Sequence, residues 1–530
     1  MNRRNLLKGA AGLGAAALAG GVAGPALAQN SRASTLRFVP QANLSALDPI
    51  WTTATVTSNH GYYIFDTLFA VDANNRVQPQ MAEGHEVADG GRLWRFRLRE
   101  GLRFHDGTPV RSADCIASVK RWASRDPFGQ LITGITEEWK VVDDRNFELR
   151  LNRPFPALLE ALGKAEANVP FIMPERLAKT DGATAITEMV GSGPYRFVAS
   201  EFNSGSRAVY TKFDGYVPCH EAPSAAAGAK IAHFQRIEWH IITDPSTAAA
   251  ALLAGEIDWW ERPLADLQPM LAQSRDVRRE ILDKAGRMAL ARLNCLQPPF
   301  DNVKLRQAVL KSVVQEDYMR AAQGDDQSTW NTMRSLYPQR TPYYVDQADL
   351  MPGSIDACKA ALKEAGYAGQ KLVIINPTDF PDIGPLGQVT ADALRRAGMN
   401  VELAESDWGT VIQRRNSREP VEKGGWSMFH TTGGSNLYGS PATSPLLRGQ
   451  GEKGWFGWWK SDRAEALTQE WLYASDADAQ RRVALELGRH ALEEAGTLPL
   501  GQFTVRTAFR KDLTGFVEGS SPFPWGVQRS

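Results

Sequence analysis

The chain has little cysteine and no surplus of charge of either sign. Its four cysteines, Cys115, Cys219, Cys295 and Cys358, are scattered without a CxxC spacing, which excludes the common zinc and thiol-redox motifs. We expect four free, apolar and partly buried thiols. The 60 basic and 60 acidic side chains cancel over 530 residues. A basic surface for nucleic acid or an anionic membrane is therefore excluded, and no nucleic-acid partner is expected.

Catalytic signatures are also missing. After residue 28 there is no GxSxG elbow, no P-loop and no GxGxxG turn, and the eight histidines form no HExxH pair. His105 and Asp106 stand side by side, but the stretch Phe104–Pro109 is typical of a turn in which the aspartate bonds its own backbone. The sequence therefore predicts a protein that is not an enzyme and holds neither a cofactor nor a metal.

The N-terminal segment has the pattern of an export signal. Arg3 and Arg4 precede a mild Ala/Gly/Leu stretch over residues 9–24, and small residues follow up to Ala28. This order resembles a twin-arginine signal peptide over residues 1–28, removed near Ala28. No cysteine follows directly, so lipid attachment there is excluded. We expect an exported, soluble periplasmic protein that carries no lipid.

The residues beyond the signal alternate between strand and helix patterns. Residues 36–40, 93–98 and 147–151 alternate as half-buried strands do, 62–69 is expected to be helical, and Ser112 is expected to cap a helix. Beyond about residue 286 the pattern becomes β-α-β, with strands at 371–376 and 401–404 around a helix at 389–397. Glycines 366, 398 and 496 are placed to end helices in the left-handed conformation. The fold class is mixed α/β.

Several segments together resemble a known family. They are Phe65-Asp66-Thr67-Leu68, Pro79 to Glu83, Trp94 to Gly101, Phe104 to Val110, Gly191-Ser192-Gly193-Pro194-Tyr195, Gly255-Glu256-Ile257-Asp258, Arg306-Gln307-Ala308-Val309 and Glu364-Ala365-Gly366-Tyr367. Each is weak alone, but their order is specific. In this order they resemble the family 5 solute-binding proteins, the oligopeptide, dipeptide and nickel type of ABC importer receptor.

The resemblance implies a type II periplasmic-binding-protein-like fold with two lobes, a hinge and an extra small α+β domain. Domain I is expected to combine residues 29–60, 191–285 and 501–530. Domain II, the extra lobe, is expected at 61–190, and domain III at 286–500. Hinge strands are expected near Met288 to Leu293 and Leu498 to Val505.

The function implied by the resemblance is capture of a small solute by hinge closure and its delivery to ABC permease subunits in the inner membrane. A monomer is expected, and the ligand is a small molecule or peptide-like. Two other readings stay open. One is an exported enzyme, because twin-arginine export carries folded proteins; the other is a sensory or chaperone-like binding module.

The run from Met428 to Pro441 departs from the peptide-binding relatives. Those relatives usually have an aspartate there that neutralises the peptide's α-ammonium, whereas this run contains no carboxylate. Burying a cation without a counter-charge costs several kcal/mol, so an ordinary peptide N-terminus is expected to be disfavoured. The neutral side chains of His430, Thr431, Thr432 and Asn436 favour a polar or aromatic solute instead.

The other candidate ligand contacts come from a Pro-containing polar loop and from the tryptophans. The loop follows the first strand, where ligand contacts are common, and apolar walls with a few directed polar groups are typical of small-molecule sites. The predicted ligand-binding residues are Trp51, Thr52, Thr53, Trp260, Trp408, His430, Thr431, Thr432, Asn436 and Trp458.

Overall fold

The computed structural model describes residues 33–530, and the predicted signal peptide lies outside this range. In the described part of the chain, no helix is both long and apolar enough to cross a membrane. Two large sheets of mixed direction dominate the architecture, and a four-stranded sheet stands beside the first of them. The mixed α/β fold class is confirmed.

A seven-stranded sheet contains the first described strand at its centre. Thr35–Val39 runs parallel to both of its neighbours, and the other pairings are antiparallel. In spatial order the strands are Tyr195–Phe197, Arg207–Lys212, Arg236–His240, Thr35–Val39, Trp259–Trp260, Thr507–Arg510 and Val277–Glu280. The sheet thus joins three distant parts of the chain.

A six-stranded sheet is built entirely from residues 287–503. Lys371–Pro377 runs parallel to Asn400–Ser406 and to Met428–Gly434, as the β-α-β pattern predicts. In spatial order the strands are Trp330–Asn331, Thr497–Phe503, Arg287–Leu293, Met428–Gly434, Lys371–Pro377 and Asn400–Ser406. Three of these strands are buried along their whole length, so they form the core of this half.

The smaller sheet belongs to the segment between the first two strands of the seven-stranded sheet. Its antiparallel strands, in spatial order, are Ala82–Ala88, Leu93–Leu98, Asn146–Leu151 and Thr136–Val141. Short two-stranded pairs complete the strand set: Asp66–Thr67 with Phe171–Ile172, Phe69–Val71 with Val77–Pro79, and Leu513–Thr514 with Gln528–Arg529.

Fourteen α-helices lie in the described residues. Seven precede residue 287: Thr55–Ile64, Ser112–Ala123, Pro127–Ile135, Leu158–Leu162, Glu175–Ala178, Pro245–Ala254 and Gln268–Gln273. Seven belong to the second half: Val303–Leu310, Gln315–Gln323, Ile355–Glu364, Gly384–Arg396, Trp408–Arg414, Asp462–Leu472 and Ala477–Glu493.

The chain crosses between the two large sheets twice, at residues 281–286 and 504–506. The predicted hinge strands themselves lie inside the six-stranded sheet, where Arg287–Leu293 pairs with Thr497–Phe503. The crossings meet at Gly286, whose φ is +73° and whose Cβ position would lie 2.6 Å from the Phe503 carbonyl oxygen. A side chain is excluded there by both conformation and space.

Local expectations were mostly confirmed, with three clear errors. Ser112 does not cap its helix, since the helix begins at Ser112 and Arg111 is the N-cap residue. The helix expected at 62–69 is wrong, since the helix is Thr55–Ile64 and short strands follow it. That apolar stretch is buried on all sides, so periodicity could not separate helix from strand. Gly496 is not left-handed either, because the preceding Ala495 has the positive φ, 51°. All four cysteines are free, and three of them are buried, as expected.

Candidate functional site

A narrow chamber lies between the two large sheets. Its cavity volume is about 30 Å³, room for no more than a few water molecules while the two halves are closed. The lining side chains come from the loop after the first strand, from the segment at 166–167 and from the six-stranded half: Gln41, Thr53, Thr55, Glu166, Phe380, Trp408, Arg415, Thr431, Thr432, Tyr438 and Trp455. Both halves of the molecule therefore contribute to it.

Arg415 is the main cation of this chamber. It caps the C-terminus of the helix Trp408–Arg414, where positive charge is favoured by the helix dipole. Its side chain reaches across the cleft, and Nη2 donates to Thr52 Oγ1 and Thr53 Oγ1, each at 3.3 Å. The residue is only 2% exposed, although it touches the chamber.

Aromatic rings surround this guanidinium. Its carbon lies 4.5 Å from the ring centre of Phe456, 5.8 Å from that of Phe429 and 5.9 Å from that of Trp408. Within the described residues Arg415 forms no ion pair, and its Nε has no hydrogen-bond partner. Burial lowers its pKa to about 9. An anionic group of a ligand would supply the missing counter-charge.

The loop that meets Arg415 is fixed by a buried ion pair. Arg121 donates to both oxygens of Asp48, at 3.1 and 2.6 Å, and both side chains are fully buried. Asp48 also accepts from the backbone N–H groups of Ile50 and Ile186, at 2.9 Å each. Because Arg121 belongs to the helix Ser112–Ala123, this helix fixes the position of the loop that carries Thr52 and Thr53.

Glu166 is the carboxylate of the chamber. Its Oε2 accepts from the Gly434 N–H at 2.9 Å, at the end of the strand that carries Thr431 and Thr432. Its Oε1 is buried, and the residue is 8% exposed. Burial raises its pKa, while the charge of Arg287 and a side-chain hydrogen bond with Ser520 oppose this.

A second acid lies in the crossing segment. Asp283 accepts from the Gly286 N–H at 3.2 Å, while its Oδ2 is buried and unpartnered in the described part of the chain. Burial and the charge of Glu166 raise its pKa to about 7, while Arg287 and Arg262 act in the opposite direction. Arg287 itself donates to Thr55 Oγ1 at 3.3 Å rather than to either acid.

Asp283→Asn is expected to stabilise the ligand-free protein at pH 8 by up to about 4 kcal/mol, with little gain at pH 4. The folded-state pKa lies above the unfolded value of 3.8. Stability of the wild type therefore falls as pH rises from about 4 to 7, and the asparagine removes this loss while its oxygen still accepts from Gly286. Denaturant unfolding at both pH values measures the difference. An equal effect at pH 4 and pH 8 would contradict the assignment.

Four of the predicted ligand residues line the chamber. They are Thr53, Trp408, Thr431 and Thr432. Thr52 stands just behind it and accepts from Arg415. Trp51 is half-buried in the same loop, and its carbonyl oxygen accepts from Arg125 Nη2 at 3.4 Å.

The other four predicted residues lie outside the chamber itself. His430 points into the six-stranded half, where its Nε2 lies 2.7 Å from Thr390 Oγ1 and burial lowers its pKa to about 3. Trp260 belongs to a separate apolar cluster with Leu252, and it also lines a small cavity that shares Gln41 and Phe380 with the chamber. Alternation along the strand places His430 on the face opposite to Thr431, its neighbour that lines the chamber.

Asn436 and Trp458 border two larger cavities on either side of the chamber. The Asn436 side-chain oxygen accepts from Asn75 Nδ2 at 3.2 Å, and Asn436 lines a cavity of about 640 Å³ that also touches Glu166 and Asp283. Trp458 packs on Trp426 at a ring distance of 5.6 Å and lines a cavity of about 400 Å³. The three spaces share lining residues and form one cleft.

Further contacts tie the two halves together across this cleft. Arg262 of the first half donates to Asp382 Oδ2 of the second half at 3.1 Å. Gln450 donates to Gln130 at 2.9 Å on the opposite side. The cleft is therefore closed in this structure.

The sequence-based search did not find Arg415 or Glu166. Arg415 had a signal, because Trp408, Val411, Ile412 and Arg415 recur at i, i+3, i+4 and i+7, and all four are buried. An arginine on the apolar face of a short helix is rare unless it has a partner. Glu166 gave no local signal, since it lies outside helices and strands and meets Gly434 only through the fold.

Comparison with known proteins identifies the family. The model of bacterial extracellular solute-binding proteins, family 5, matches residues 76–454. The chain belongs to this family. A probable peptide ABC transporter periplasmic-binding protein of Sinorhizobium fredii is 37% identical, with 100% of both chains covered. A glutathione-binding protein of Salmonella typhi is 24% identical, with 90% of each chain covered.

Solved structures of family 5 type share the fold. The periplasmic binding protein AgaA of A. tumefaciens R10, in complex with agropinic acid, superposes with a TM-score of 0.77 at 19% identity, covering 94% of this chain and 99% of that one. DppA of Helicobacter pylori, in complex with the peptide STSA, gives 0.76 at 19% identity, with 95% and 99% covered. The type II periplasmic-binding-protein fold is confirmed.

Membership in family 5 also indicates the class of function. Family 5 consists of solute-binding proteins, and the similar proteins are binding proteins and not enzymes. The part of the chain that the structure describes holds no group of three or more metal-ligating side chains suited to a metal ion. The family is extracellular or periplasmic.

Proposed function

We propose that this protein captures a small carboxylate-bearing solute in the periplasm and delivers it to the permease subunits of an ABC importer. Arg415 carries the proposal, because it is a buried cation that lines the chamber between the two halves and forms no ion pair within residues 33–530. A ligand carboxylate forms charge-assisted hydrogen bonds with it and offsets the cost of its burial. Similar proteins are described with peptides, glutathione and agropinic acid, which all carry carboxylates.

Closure of the two halves about the crossings at 281–286 and 504–506 encloses this solute. One lobe consists of the residues before 281, which include the smaller sheet, and of the residues after 506. Residues 287–503 form the other lobe. Arg415 and Arg262 make contacts from opposite lobes that exist only when the cleft is shut. The closed shape is what an importer recognises. The protein acts as a monomer, exported without lipid.

Native mass spectrometry of the freshly purified protein tests the ligand, and uptake by a strain that lacks the adjacent permease genes tests the transport role. We expect an unmodified carboxylate-bearing small molecule to co-purify, and uptake of it to depend on both the protein and the permease. Turnover of that molecule by the purified protein, or uptake that persists without the permease, would contradict the proposal.

A further inference from the structure

One ion pair joins the two lobes. Arg262 follows the strand Trp259–Trp260 of the first lobe, which holds the residues before 281, and Asp382 precedes the helix Gly384–Arg396 of the second lobe. Arg262 Nη1 donates to Asp382 Oδ2 at 3.1 Å. Within residues 33–530, no other ion pair of 4 Å or less connects the lobes. The other side-chain hydrogen bonds described across the cleft carry a charge on one side at most.

This ion pair is largely removed from water. The side chain of Arg262 is 8% exposed and that of Asp382 is 12% exposed. Opposite charges interact more strongly in such surroundings than at the surface, and salt screens them less. Close charge pairs across an interface mainly slow the separation of the two sides. The pair therefore favours the closed arrangement of the lobes.

Each partner of the pair is also held within its own lobe. Arg262 Nε lies 3.7 Å from Glu261 Oε1, and Glu261 is fixed by the Gln41 N–H, which donates to its Oε2 at 2.8 Å. In the second lobe, Gln323 donates to Asp382 Oδ1 at 3.3 Å and leaves Oδ2 to Arg262. Much of the ordering and desolvation of the two charges therefore accompanies folding of each lobe, so less of this cost remains when the lobes meet.

The pair lies outside the space where a solute is enclosed. Neither Arg262 nor Asp382 lines the Arg415 chamber or the two larger cavities beside it. They border a cavity of about 40 Å³, and Arg262 borders another of about 60 Å³ next to the crossing residue Gly286. Spaces of this size hold a few water molecules. The pair therefore acts on the arrangement of the lobes and not through contact with the solute.

We propose that Arg262 and Asp382 form a latch that populates the closed arrangement before a solute is bound. The latch rests on the lobe closure of the proposed function, but not on the chemistry of the solute. Because the closing equilibrium is linked to binding, a closed state that is already populated raises the affinity for every enclosed solute by the same factor. Arg262 and Asp382 are thus positioning residues, and selectivity remains with the residues that line the cleft.

Pulsed electron spin resonance on the mature protein, freed of solute by dialysis in mild denaturant, tests the latch. Nitroxide labels at Val142→Cys in the first lobe and Val345→Cys in the second report the separation of the lobes, because both positions are exposed and neither lines the cleft. Cys295→Ala removes the native cysteine that is not buried. We expect two separations, and the one that matches the closed arrangement described here accounts for about 10% of the molecules.

Substitutions in either lobe test the role of the charges in the labelled protein. Asp382→Asn and Arg262→Gln are each expected to lower the ratio of closed to open molecules by about 10-fold or more. Arg262→Lys keeps the charge, so its ratio should lie between those of the wild type and Arg262→Gln. Asp346→Asn is the control, because it breaks an ion pair with Arg334 inside the second lobe, and its ratio should equal that of the wild type. If one latch variant does not fold, the variant in the other lobe decides.

A single open separation in the wild type, or a closed fraction that Asp382→Asn and Arg262→Gln leave unchanged, would overturn the latch. Either result would keep the proposed function, since closure driven by the solute would remain. A single closed separation in the wild type and in all variants would refute both the latch and the lobe movement on which the proposed function depends.

Discussion

Arg415→Met is expected to weaken ligand binding by about 100- to 1000-fold while raising the stability of the ligand-free protein. The guanidinium offers a pair of charge-assisted hydrogen bonds to a carboxylate, worth about 3–4 kcal/mol in this enclosed site. Methionine keeps much of the apolar stem but carries no charge. Removing an unpaired buried cation is expected to stabilise the unliganded fold by about 1–3 kcal/mol.

The opposite signs of these two effects separate a binding role from a structural role. A structural arginine would lower stability when removed, because its contacts with Thr52 and Thr53 would be lost. Arg414→Met is the matched control: Arg414 lies next in sequence, donates to the Gly424 and Gly425 carbonyl oxygens and does not line the chamber. Calorimetric titration and thermal unfolding of both variants provide the data. Lower stability and unchanged affinity in Arg415→Met would refute the assignment.

Asp48→Asn is expected to destabilise the protein by about 3–5 kcal/mol and to weaken binding as well. The substitution removes the charge that faces Arg121 and leaves a fully buried guanidinium uncompensated. The same carboxylate holds the backbone of the loop at Ile50, so Thr52 and Thr53 would lose their fixed position beside the chamber.

An exposed ion pair provides the control for this prediction. Arg489 and Asp349 are joined at 2.7 Å but are about half exposed. Asp349→Asn should therefore cost less than about 1 kcal/mol and leave affinity unchanged. If Asp48→Asn proves as mild as the control, as judged by denaturant unfolding, the buried pair does not hold the loop in place.

Much of the fold could be predicted from the sequence, because the periodicity of single segments agrees with the order in which the family's segments occur. The strands Lys371–Pro377 and Asn400–Ser406 form where the β-α-β pattern predicted them, with the helix Gly384–Arg396 between them. That helix begins at Gly384 rather than at the predicted residue 389. Element boundaries are less well determined by the sequence than the elements themselves.

The candidate site was predicted less completely, because cleft chemistry is assembled from distant parts of the chain. Thr53 lies in the loop before the helix Thr55–Ile64, and Thr432 lies in the strand Met428–Gly434. The polar loop indicated the first, and the run Met428 to Pro441 indicated the second. His430 was misplaced because the strand pattern does not show which face of Met428–Gly434 is turned to the cleft. Glu166 could not be found at all, since only the folded chain places it beside Gly434.

Small-angle X-ray scattering of the mature protein with and without its ligand tests the central claim most directly. If two lobes close over a solute held by Arg415, saturating ligand reduces the radius of gyration and the maximum dimension of the wild type. Arg415→Met at the same ligand concentration keeps the dimensions of the unliganded wild type. Identical curves for the wild type in both states, with binding proven by calorimetry, would contradict closure.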